Sequence, residues 1–69
     1  MPDENGPIRA LRRALHAHEQ AIGVHERAAA LYDRLGRGEQ AEAELAAAAN
    51  EREHRDRARV ELARLEEPA

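Results

Sequence analysis

The chain contains no cysteine, serine, threonine, lysine, phenylalanine or tryptophan. The missing cysteine excludes disulfides, a zinc ribbon and thiol chemistry. Without serine or threonine as well, the usual side-chain nucleophiles are gone, so the expected function is non-enzymatic. Lysine is missing, so "LGRGE" (35–39) is not a phosphate-binding Walker loop, and it follows helical sequence rather than a strand. No apolar run approaches the ~18 residues of a membrane span. The N-terminus shows no signal-peptide hydrophobic segment, and a cytoplasmic location is the expectation. Tyr32 is the one aromatic residue.

What is present is alanine, arginine and glutamate. The chain has 69 residues, enough for one small domain. All basic residues are arginines, and the net charge is −3 with the signs interleaved. That balance argues against a nucleic-acid partner, which usually meets a basic domain or stripe. The weakest reading is a regulator contacting nucleic acid through Arg52, Arg55, Arg57 and Arg59 in "EREHRDRAR". Glu51, Glu53 and Asp56 dilute that run, as they would on a solvated helix face.

Proline and glycine mark the boundaries. "NGP" (5–7) opens a helix with Pro7 at its first position. Gly36 suits a left-handed helix end, Gly38 frees the next entry, and Pro68 closes the second helix. The expectation is a flexible segment over 1–6 and one domain over 7–67. The fold class expected is all-α: an antiparallel hairpin of two long helices, about 7–35 and 38–66. Large apolar side chains are few, so a lone chain would be marginal and self-association is expected, as a homodimeric four-helix bundle or a higher oligomer. Another helical protein is the alternative partner, and no membrane is expected. The interface residues expected are Leu11, Leu15, Ile22, Tyr32, Leu45, Leu62 and Leu65.

On a helical wheel the first helix separates cleanly. Arg9, Arg12, Arg13, His16, Glu19, Gln20, Glu26, Arg27, Asp33 and Arg34 share one side. Ile8, Leu11, Leu15, Ile22, Ala29 and Tyr32 share the other, and small residues at 10, 14, 17, 21, 24 and 28 widen the apolar arc. Such an arc can touch more than one neighbouring helix. Gly23 lies on the polar side, where glycine costs ~1 kcal/mol relative to alanine. It reads as drift, a bend, or a close approach by a partner. The second helix is less regular. Its seam runs Ala41, Ala48, Arg55, Leu62 on one line and Glu44, Glu51, Ala58, Leu65 on the next. Its middle, "NEREHRDR" (50–57), has no apolar residue.

The stretch around the break, residues 28–48, resembles the turn region of a tetratricopeptide repeat. Tyr32, Leu35, Gly36, Ala41, Leu45 and Ala48 stand at that repeat's packing positions. The resemblance implies a tight helical hairpin. The repeat's proline after the second helix and its neighbouring repeats are absent, and both helices here are about twice as long.

The histidines fall into two kinds. His16 lies on the polar face of the first helix, whereas His18 and His25 flank Ile22 on the apolar arc. An antiparallel hairpin sets His18 level with residue 56 and His25 level with residue 49, against the apolar-free middle of the second helix. His18, His25, Glu51 and His54 are therefore expected to converge. One reading is a hydrogen-bonded layer that sets register, as polar core residues do in coiled coils. The alternative is a divalent metal site, zinc or iron, in which Glu51 and His54 supply an i, i+3 pair. His18 and His25 are ~10.5 Å apart along the axis, so only one of them would join it.

Overall fold

The computed structural model describes residues 6–67 and contains two helices, α1 (Pro7–Arg34) and α2 (Gly38–Glu66), packed against each other as an antiparallel hairpin. No strand occurs among the described residues. The expected N-terminal segment falls largely on residues 1–5, which lie outside them; Gly6 is the N-cap of α1. The hairpin is a slender plate, 53 × 16 × 11 Å. Neither helix is long and apolar enough to cross a membrane.

Local chemistry explains both helix ends at the turn. Gly36 adopts φ +73°, a conformation that costs L-residues with a Cβ ~1–2 kcal/mol. The Gly36 N–H donates to Asp33 O at 3.1 Å, and the Arg37 N–H donates to Tyr32 O at 2.8 Å. These two bonds form a Schellman motif that satisfies the last carbonyls of α1. With no serine or threonine in the chain, neither helix carries a side-chain N-cap bond. Instead Pro7 occupies the first turn of α1, and Glu39 places a carboxylate in the first turn of α2, where the helix dipole favours it.

The core is built from small side chains. The buried residues are Ile22, Ala29, Ala41, Ala48 and Ala58, and Ala48 is 0% exposed. Leu11, Leu15, Tyr32 and Leu62 are half-buried, so most of the expected interface residues pack within the hairpin. Leu45 and Leu65 remain exposed. Alanines at the crossing let the two backbones approach closely, and one layer of helices then leaves no room to enclose a leucine.

Candidate functional site

The seam of α1 repeats every seven residues, which places His18 and His25 on the same line facing α2. The Nδ1–H of His18 donates to Oε2 of Glu51 at 2.8 Å, and the Nδ1–H of His25 donates to Oε1 of Glu44 at 2.9 Å. All four side chains are about three-quarters buried. The His54 ring stacks on His18, with centroids 5.6 Å apart and planes 21° from parallel. His16 is exposed, as expected for the polar face.

The four side chains expected to converge thus divide. His18, Glu51 and His54 come together, while His25 stands one heptad away with Glu44. The signal for Glu44 was in the sequence: Glu44 and Glu51 share a seam line and the same seven-residue spacing as the histidines. Matching residues by height alone missed it, because each imidazole reaches about one turn along α2 toward the hairpin turn. The Glu51 carboxylate is engaged by His18, and the His54 imidazole stacks on that same ring. Among the described residues, no group of three or more His, Asp or Glu side chains is placed to hold a metal ion. The arrangement is a repeated polar layer in which each buried donor meets a carboxylate, and no buried side-chain polar atom among the described residues lacks a partner.

Charged pairs flank this layer on one face. Arg12 bonds Glu66, Arg59 bonds Glu19 at 3.0 Å, and Arg52 bonds Glu26. The pairs step by seven residues along each helix, in opposite directions, and form a ladder on one side of the seam. Arg52, Arg55 and Arg59, which the sequence offered to nucleic acid, each donate to a carboxylate of this chain. Near the turn the ladder stops. Where a further basic residue would face Asp33, α2 carries Leu45, 52% exposed, in a shallow groove with Ala29, Ala30 and Ala41.

The opposite face has a different character. There α1 places Ala10, Ala14, Ala17, Ala21, Val24, Ala28 and Leu31, and the C-cap Leu35 continues the line, spaced alternately by four and three residues. This is a second seam of coiled-coil period on the same helix. Val24, Leu31 and Leu35 are 54%, 48% and 60% exposed.

Comparisons with protein-family models, with curated proteins and with solved structures find no match to this chain.

Proposed function

We propose that this chain is a small, non-enzymatic interaction or scaffold module that self-associates, two hairpins pairing through the second seam of α1 into a four-helix bundle. The observation that carries this reading is the inequality of the two faces. The ladder face is covered by crosswise ion pairs, while on the other face the α1 half repeats an apolar residue at every step from Ala10 to Leu35. A solvated helix has no need of that period. The alanines suit close helix approach, and Val24, Leu31 and Leu35 supply the larger contacts. Of the residues first expected at the interface, Leu45 stays exposed beside the turn on the ladder face, away from this seam.

The test is solution mass by light scattering or sedimentation. A dimer is expected for the parent chain, and Val24→Asp with Leu31→Asp should return it to the monomer while preserving helicity. A parent chain that stays monomeric at high concentration would overturn the reading.

A further inference from the structure

The outer edges of the plate carry opposite charge. On the back of α1, away from α2, positions 13, 16, 20, 23, 27, 30 and 34 hold three arginines, His16, Gln20, Gly23 and Ala30, with no carboxylate. On the back of α2, positions 39, 42, 46, 49, 53, 56, 60, 63 and 67 hold glutamate, aspartate, alanine or Val60, with no basic residue. The ladder and the histidine layer use other side chains. Among the described residues Arg13, Arg27, Arg34, Glu39, Glu42 and Glu53 enter none of the ion pairs that hold the hairpin together.

We propose that copies of this chain associate edge to edge, the arginine back of α1 on one copy against the carboxylate back of α2 on the next. The occupant of each edge is a second copy, because the complementary edge is present on every chain. Complementary fields of this kind steer encounter and set register. Set side by side in the same orientation, neighbouring hairpins present α2 antiparallel to α1. Residues equally far from the turn then meet: Arg34 meets Glu39, Gln20 meets Glu53, and Gly23 meets Ala49. The small pair falls between the Arg34–Glu39 ion pair and the Gln20–Glu53 amide–carboxylate pair, and permits close approach. Gly23 lies in a shallow groove with Glu19, Gln20, Val24 and Arg27, Glu19 being the ladder carboxylate that bonds Arg59, and a Cβ at Gly23 would stand 3.2 Å from the Arg27 guanidinium. Val60, 70% exposed, is level with the stem of Arg13. The two edges differ, so the contact is heterologous and generates rings or open arrays rather than stopping at a pair.

This inference rests on the self-association reading but uses a different surface, and salt separates the two. Edge contacts between exposed charges are screened as ionic strength rises, whereas an apolar seam is not weakened by salt. In sedimentation velocity at about 0.02 M salt, the parent should grow with concentration beyond a dimer, and at about 0.5 M it should fall back. Arg13→Glu with Arg27→Glu should abolish that growth, and so should Glu42→Arg with Glu53→Arg. An equimolar mixture of the two variants should regain it, since each retains edges complementary to the other. Growth that survives either charge reversal, or a mixture that stays unassembled, overturns the proposal. So does a parent that shows no salt-sensitive growth but binds short duplex DNA or anionic vesicles through its arginines, which would make the basic edge a phosphate-binding surface. A salt-insensitive dimer without growth sinks the edge contact and keeps the bundle. Salt-sensitive growth in a parent that falls back to the monomer rather than to a dimer at high salt keeps the edges and sinks the bundle.

Discussion

His18 and Glu51 meet across the hairpin through a 2.8 Å hydrogen bond, and His25 and Glu44 repeat that bond one heptad nearer the turn. A half-buried donor left without its acceptor costs more than the pair contributes. Glu51→Leu or His18→Leu alone is therefore expected to destabilise by about 1–2 kcal/mol. The double replacement is expected to be near neutral, because an apolar pair of similar size needs no partner. Urea denaturation at fixed protein concentration, arranged as a double-mutant cycle, measures this. Additive single effects would show that the two side chains do not act together.

The engagement of Glu51 by His18 also bears on metal. Glu51 is taken up by His18, and among the described residues no three ligand side chains are placed around one point, so adding EDTA is expected to leave the melting temperature unmoved, and zinc not to raise it. A rise that disappears in Glu51→Ala with His54→Ala would show that these side chains rearrange around a cation.

Ala48 is the most tightly enclosed residue of the hairpin, at 0% exposure. Ala48→Leu inserts volume at the most enclosed position between the helices, and overpacking of this kind costs about 1–3 kcal/mol. Ala46→Leu, two residues away on the exposed face, should stay within about 0.5 kcal/mol of the parent. Thermal or urea melts of the two variants provide the contrast. Equal effects would mean that Ala48 is not at a close crossing.

At the turn, two glycines separated by one residue are expected to respond in opposite directions. Gly36→Ala forces a Cβ into φ +73° and should cost about 1–2 kcal/mol. Gly38 lies within α2, and a Cβ there meets nothing within 4 Å. Gly38→Ala should therefore stabilise by about 0.4–1 kcal/mol through the unfolded chain. Melting temperatures moving the same way would contradict the turn geometry.

The ladder on the exposed face calls for small numbers. Arg59 and Glu19 bond at 3.0 Å with both side chains about half exposed, so Glu19→Gln should change stability by no more than ~1 kcal/mol. Glu19→Arg sets two guanidinium groups together and should cost more, with the excess fading as salt is raised. Restoring the pair by adding Arg59→Glu should recover the loss. A reversal that salt does not relieve would place the cause in packing rather than charge.

The ladder also bears on register. Sliding α2 by one heptad in either direction would set Arg12 against Arg59, or Glu19 against Glu66, and would leave one histidine without its glutamate. The interhelical charges, the polar layer and the three-residue turn (Leu35, Gly36 and Arg37) therefore specify the same alignment.

Much of this architecture is local and was legible from residue types alone. Pro7, Gly36, Gly38 and the seven-residue period determined where the helices begin and end, and that His18 and His25 point inward while His16 points out. A period fixes direction around one axis, and each of these signals acts within a few residues. The tertiary structure alone decided which carboxylate each histidine meets, because that depends on the offset between two helices and on the one-turn reach of the side chains. It is why His25 pairs with Glu44 rather than joining Glu51 and His54. It also decided that alanines form the buried core while Leu45, Leu65, Val24 and Leu31 stay exposed. One layer of two helices encloses only what lies between them, so the apolar surface outside that line stays exposed.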